Sequence, residues 1–346
     1  MKNRLIKISI FALIGLSVSV ISSCGSEQSG NETIALPNSN GRTGEILVIL
    51  ESEYWEGTLA HTLNNIFGKE VITLPQPEAY FQLARKDPAG FKNSASQHHS
   101  ILVFEIKSNV KQAYLAAKDT NYYANDQLIY RIYAGNEGDA IKVLKDNAEF
   151  LEYEFDKFSR QRLALSYARQ KNTSLNEELA ITLKVNIDVP SNYSVKANSS
   201  SFVWLEKKGT RREDGLSHEI QQGILIYSYP YIDSAGFTED FVLNKMDTVI
   251  KKHVKGNLEG SYLATNRDYI IESSELEVNG EYALKINGLW RMANSIMGGP
   301  FVNYSVYDRK NSRIVGLVGY VYAPQFRKME FMRELDAILT SVRIVN

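Results

Sequence analysis

The residue with the most definite chemistry in this chain is its single cysteine. Cys24 follows Ile21-Ser22-Ser23, an aliphatic residue and two small ones. Small side chains let a peptidase reach the bond before the cysteine, and the thiol is the nucleophile that takes a diacylglyceryl group. That is the layout of a bacterial lipobox. Ahead of it, Lys2, Arg4 and Lys7 give a positive start, and Ile8 to Val20 carry no charge. An apolar run of about 13 residues is too short for a transmembrane helix, which needs roughly 20, and fits the core of an export signal. The expectation is a lipoprotein signal over 1–24 and a mature chain anchored by palmitate-like acyl chains on Cys24. Two or three such chains hold stably where one binds marginally. A lipidated thiol takes no part in disulfides, metal binding or nucleophilic catalysis.

Other reactive patterns are incomplete. Ser108-Asn109-Val110-Lys111 fits Ser-x-x-Lys and Tyr123-Ala124-Asn125 resembles a second element of penicillin-recognising enzymes, but the two lie too close and no Lys-Thr-Gly follows. His98 and His99 are adjacent, and on an extended segment they point to opposite faces, which prevents chelation of one ion. His61, His218 and His253 belong to no ligand-spacing motif, and all five histidines read as surface or half-buried residues. Glu239-Asp240 opens a helix, where the macrodipole favours acids. No phosphate-binding glycine loop is present. No metal and no cofactor is expected.

The stretch most suited to a ligand contact is Trp290 to Pro300, an apolar and aromatic loop with Gly298-Gly299 before a strand. Trp290, Arg291, Gly298, Gly299 and Tyr304 are its candidate contact residues. The plainer reading is a tight turn whose Trp290, Met292 and Met297 plug the end of a sheet. A second candidate is the tyrosine set Tyr227, Tyr229, Tyr231, Tyr304, Tyr320 and Tyr322, in a chain with 20 Tyr and 3 Trp. Such rings pair across strands, and a covering helix is expected because large exposed aromatic patches are rare.

The elements that position these residues follow from periodicity. Residues 25–43 are small and polar and read as a flexible tether. Glu45 to Leu50 is a buried strand, Trp55 to Phe67 a helix, and Val71 to Leu74, Ser100 to Ile106 and Gln127 to Tyr133 further strands. Gly138 to Gln170 gives one or two amphipathic helices. This makes an N-terminal α/β domain over 44–175. A second domain over 176–346 starts with a strand, Ile181 to Val189, then Phe202 to Leu205 and a charged hairpin end at 207–215. Gly223 to Tyr231 alternates, with Leu225, Tyr227, Tyr229 and Tyr231 on one face and Ile224 and Ile226 on the other. Thr238 to Val254 is a helix, 278–286, 300–307 and 313–322 are strands, and a last helix covers Arg327 to Leu339. The fold class is α+β: two α/β domains, each a mixed or antiparallel sheet packed with helices, the second an α/β/α sandwich.

Leu74-Pro75-Gln76-Pro77-Glu78 with Phe81, Gly288-Leu289-Trp290, Met297-Gly298-Gly299-Pro300-Phe301, and the closing Phe331-Met332-Arg333-Glu334-Leu335 resemble the Bacteroidota lipoproteins of domain of unknown function 4837. The likeness extends over nearly the whole mature chain, except that Asn294-Ser295 stands where relatives carry an acidic residue. The second half also resembles the photosystem-protein-P and Mog1 type of sandwich, whose members mostly bind partners or assist assembly. Fold likeness of that kind does not fix function.

The chain has 39 basic and 40 acidic residues, and loss of the signal leaves a net charge near −4. No nucleic-acid partner is expected. Gly25, where Asp would signal inner-membrane retention, favours the outer membrane, with the protein facing the periplasm. The expected function is a non-enzymatic binding or assembly module of the envelope, held by lipid and partnered by another envelope protein. The alternative is a hydrolase or transferase acting on envelope glycans or peptides.

Overall fold

The computed structural model describes residues 35–256 and 258–345. Cys24, the signal and most of the expected tether lie outside them. The chain is paired earlier than the tether boundary at 43 implies. Ser39 N–H donates to Asn125 O at 3.2 Å and Asn40 N–H to Gln97 O at 3.0 Å, so these residues are already part of the fold.

The first sheet is built from β1 (Glu45–Ile49), β2 (Gln82–Lys86), β3 (Ser100–Ile106) and β6 (Leu128–Ala134), all parallel in the order β2-β1-β3-β6. The two-residue strands β4 (Tyr114–Leu115) and β5 (Asp119–Thr120) run antiparallel along the β6 edge. Its even face, with Ile46, Val48, Leu102, Phe104, Tyr130 and Ile132, is covered by α1 (Thr58–Phe67), α2 (Glu137–Asp146) and α3 (Ala148–Gln170). Its other face, with Leu47, Ile49, Ile101, Val103 and Ile129, is closed by loop residues Phe91 and Tyr123. A strand buried on both faces needs an unbroken aliphatic run, which is what β1 and β3 carry. Helix ends are satisfied by side chains: Asn136 caps α2 through Asp139 N–H at 3.0 Å, and Glu137 accepts from Leu59 N–H of α1 at 3.0 Å.

Two expected strands are absent. Val71 to Leu74 forms turns, and the neighbour of β1 is β2, whose Gln-Leu-Ala-Arg-Lys sequence is polar because it is an edge strand open to solvent. The segment read as a strand from Ile181 begins as helix α4 (Thr173–Thr182). Asn172 caps it through Leu175 N–H at 3.1 Å, and Leu175 and Leu179 face inward one turn apart. Only β7 (Val185–Asn186) remains extended, paired with β16 (Arg343–Ile344).

The second sheet is antiparallel. Its order is β11 (Leu263–Thr265), β13 (Glu281–Met292), β14 (Gly298–Asp308), β15 (Arg313–Tyr322), β10 (Leu216–Pro230), β9 (Phe202–Glu213) and β8 (Ser194–Ser199), with β12 (Glu272–Val278) also on β13. The charged stretch 207–213 continues β9, and only Asp214-Gly215 turns the hairpin. One face, carrying Leu225, Tyr227, Tyr229, Trp290 and Tyr320, packs on α5 (Glu239–His253) through Val242, Leu243, Met246 and Ile250. The opposite face, carrying Ile224, Ile226, Tyr304 and Leu317, packs on α4 and on α6 (Met329–Leu339). The result is a mixed α+β fold whose second sheet is sandwiched between helices.

Two helices join the sheets. Phe155 of α3 is buried in the first core, while Tyr167 near its C-terminus packs on the second. Helix α6 lies between the second sheet and α3, with Leu335, Ile338 and Leu339 on the sheet.

Candidate functional site

The residues singled out around 290–304 do not converge. Trp290 pairs with Gly299 and Arg291 with Gly298 across the β13–β14 hairpin. Trp290 is buried on the α5 face, and its indole N–H donates to Val321 O at 3.1 Å. A Cβ at Gly299 would meet Val321 O at 2.0 Å, so glycine lets these strands approach. Arg291 and Gly298 are exposed, and Tyr304 points to the opposite face of the sheet. Of the tyrosine set, Tyr227, Tyr229 and Tyr320 are buried under α5, with Tyr231 and Tyr322 packed at its margin, while Tyr304 is separate.

His98 and His99 also differ from expectation. Both are buried, and their rings lie side by side with centroids 4.6 Å apart, because the chain bends here before β3 begins. All four ring nitrogens are engaged. His98 Nε2–H donates to Glu45 Oε1 at 2.9 Å, and Nδ1 accepts from Ser100 N–H at 3.2 Å. His99 Nε2–H donates to Arg42 O and Nδ1 accepts from the Ser100 hydroxyl, each at 2.8 Å. Burial lowers the His99 pKa to about 3, helped by the charges of Arg162 and His98. These are structural histidines, holding the incoming chain to the first sheet.

What does converge is a cleft of about 550 Å³ where α3, α6, β13 and the 69–80 segment meet. Arg333 of α6, 4 % exposed, is one of its lining residues. Its guanidinium donates to Asp156 Oδ1 of α3 at 3.0 Å and to Tyr80 O at 2.7 Å, and lies 4.2 Å from the Tyr80 ring centroid. Asp156 is further held by the Tyr80 hydroxyl and by Arg160, at 2.9 Å. A turn further along α6, Asp336 accepts from the Tyr304 hydroxyl at 2.7 Å and pairs with Lys285 at 2.9 Å. Desolvation first, then the neighbouring carboxylates, push the Tyr80 and Tyr304 phenols up, so both hold their protons firmly. Glu78, also 4 % exposed, accepts from Lys328 N–H at 2.7 Å and Met329 N–H at 2.8 Å, capping α6 from the other half of the chain. Val71, Leu74, Met329 and Met332 give the cleft an apolar wall beside these paired charges. Among the described residues no three His, Cys, Asp or Glu side chains are grouped as metal ligands.

On the far side of Arg333 and Tyr80 is a second groove of about 610 Å³, lined by Arg42, Arg211, Arg212, Arg327 and Arg333 with Glu213 and Glu330. The two cavities share Tyr80, Met329 and Arg333. Sequence reading named none of their charged residues as a site. The available signal was the pair of motifs at 74–81 and 331–335, which supply Glu78 and Arg333.

Residues 172–341 match the family model for domain of unknown function DUF4837, and residues 39–168 match that for domain of unknown function DUF8532. The first likeness is therefore confined to the second half of the chain, and the 74–81 motif falls within the other family. No curated protein matches the chain in sequence. Among solved structures, the chain is similar to the Ran-binding protein Mog1p of Saccharomyces cerevisiae, at 10 % identity over 47 % of this chain and 91 % of that one, with a TM-score of 0.30. A point mutant of protein Mog1 gives 10 % identity, 47 % and 92 % coverage and the same TM-score of 0.30. The two family matches thus fall one over each sheet.

Proposed function

We propose that the chain is a lipid-anchored envelope lipoprotein of Bacteroidota type that acts as a non-catalytic binding module and receives a segment of a partner protein in the cleft around Arg333. The observation that carries this reading is the state of the cleft's charges. Asp156 is taken by Tyr80, Arg160 and Arg333, and Asp336 by Tyr304 and Lys285. A general base needs a lone pair free to meet the substrate, and these oxygens are already engaged. Fixed, paired charges beside an apolar wall instead make a preformed surface for a segment of mixed polarity. Such a surface loses little on ordering, which favours binding. The lipobox ending at Cys24 supports the anchor, and Gly25 after it supports an outer-membrane location on the periplasmic side.

Photo-crosslinking in the native envelope tests this. A crosslinker at Ile72 or Tyr153, both 56 % exposed on the cleft rim, should capture one partner reproducibly, and one at the remote Ile232 should not. The Cys24→Ala chain should lose that partner. Equal capture from all three positions would sink the assignment of the cleft. Turnover of envelope glycans or peptides that disappears in Asp336→Asn would replace binding with the hydrolase or transferase reading.

A further inference from the structure

The second groove differs from the first in having charge to spare. Arg42, Arg212 and Arg327 are exposed along it and make no ion pair among the described residues. Arg211 is held in place by stacking, its guanidinium 5.5 Å from the Phe326 ring centroid and 5.2 Å from that of Phe331, and lies only 3.7 Å from Glu330. Arg333 is already neutralised by Asp156, so the four other arginines, set against Glu213 and Glu330, leave the groove two charges positive in a chain whose net charge is −1. Such a concentration of like charge is unfavourable to the fold by itself and draws in anions.

The floor of the groove gives an independent indication. Arg333 is 4 % exposed, and its Nε–H has no hydrogen-bond partner. A buried donor without a partner is costly, and this one belongs to the residue shared by both cavities. It lies against Gly44, where a Cβ would come within 2.8 Å of Nε and where φ is +74°, so glycine is required on both counts. Gly44 thus allows a guanidinium to sit immediately beneath the groove.

We propose that this groove binds a ligand carrying two or more phosphate groups. The planar guanidinium fork matches phosphate oxygens bidentately, and arginine is favoured over lysine where that match matters. All five cations here are arginine. Three unpaired arginines exceed what a single monoanion neutralises. The phosphates belong either to a soluble polyphosphorylated molecule or to an anionic lipid headgroup.

Calorimetric titration of the full-length chain with pyrophosphate, inorganic phosphate and hexaglutamate tests the chemistry. Vesicles of phosphatidylcholine with and without cardiolipin, whose headgroup carries two phosphates, test the source. Pyrophosphate should bind at least tenfold tighter than inorganic phosphate, and its affinity should fall at least tenfold in Arg212→Gln with Arg327→Gln. An Arg309→Gln control on the β14–β15 turn should be unaffected, and circular dichroism should show all variants folded. Binding of cardiolipin vesicles alone, with the same sensitivity to Arg212 and Arg327, would support the proposal with a headgroup as source. Absence of both, binding indifferent to the double variant, or hexaglutamate binding as tightly as pyrophosphate would each overturn it.

Discussion

The two cavities flanking Arg333 hold similar residue types in opposite electrostatic states. In the first cleft every central cation faces a carboxylate, and the pairs are tied to phenols and backbone carbonyls. In the second, three of five arginines have no carboxylate within ion-pair distance among the described residues. The difference teaches what a charged side chain is for. A paired, buried charge specifies how helices sit against each other, and removing one partner is expensive because the other stays behind. An unpaired charge at a groove contributes little to the fold, and the ligand proposed for the second groove would give it a partner.

The largest effect should come from breaking the shared residue. Arg333→Met removes the hydrogen bonds to Asp156 and Tyr80 and the stack on Tyr80 and Phe81, leaving Asp156 with Arg160 as its remaining cation. A loss of about 3–5 kcal/mol of unfolding free energy is expected in urea titrations. A loss below about 1 kcal/mol would mean that the pairs in the first cleft are ornamental, and the contrast would collapse.

Acid should act through the histidine that ties down the segment bearing Arg42, just before β1. Burial lowers the folded pKa of His99 to about 3, against an ordinary value of 6.5. Above pH 6.5 both folded and unfolded states carry it neutral, and its contribution is complete. As pH falls from 6.5 toward 3 the unfolded chain takes up a proton that the folded chain refuses, so stability declines. The expected loss is about 2–3 kcal/mol at pH 4.5 relative to pH 7. His99→Gln should flatten that part of the profile. Glu45, whose pKa is lowered chiefly by its hydrogen bond to His98, keeps its contribution until lower pH and adds to the loss there.

The fold was legible where one strand or helix carries its own pattern. β1 and β3 announce themselves as aliphatic runs, and the alternation at 223–231 predicts which side chains of β10 face α5. It was illegible where context overrides pattern. β2 is polar because it is an edge, and Ile181, which suggested a strand, is a 73 % exposed residue near the end of α4. The site was hidden for a different reason. Asp156 and Arg333 are 177 residues apart and Glu78 and Lys328 are 250 apart, and no local spacing marks such pairs. Only the two family-like motifs gave a hint, and they did so without indicating that they meet.

Smaller changes sharpen the comparison. Glu78→Gln keeps a side-chain acceptor at the start of α6 but removes the charge that favours the helix N-terminus, and should cost about 1 kcal/mol. Arg212→Gln and Arg327→Gln should each change stability by less than about 0.5 kcal/mol, because neither side chain is buried or paired among the described residues. Relief of like-charge repulsion at the groove should even make the double variant slightly more resistant to urea at low salt, with the gain vanishing as salt screens the arginines. The comparison is sharpest when Arg333→Met and the double variant are measured side by side. Arg333→Met should unfold early at any ionic strength, and the groove variant should differ from the parent only when salt is low. A groove variant as destabilised as Arg333→Met would show that these arginines support the fold and need no ligand to account for them.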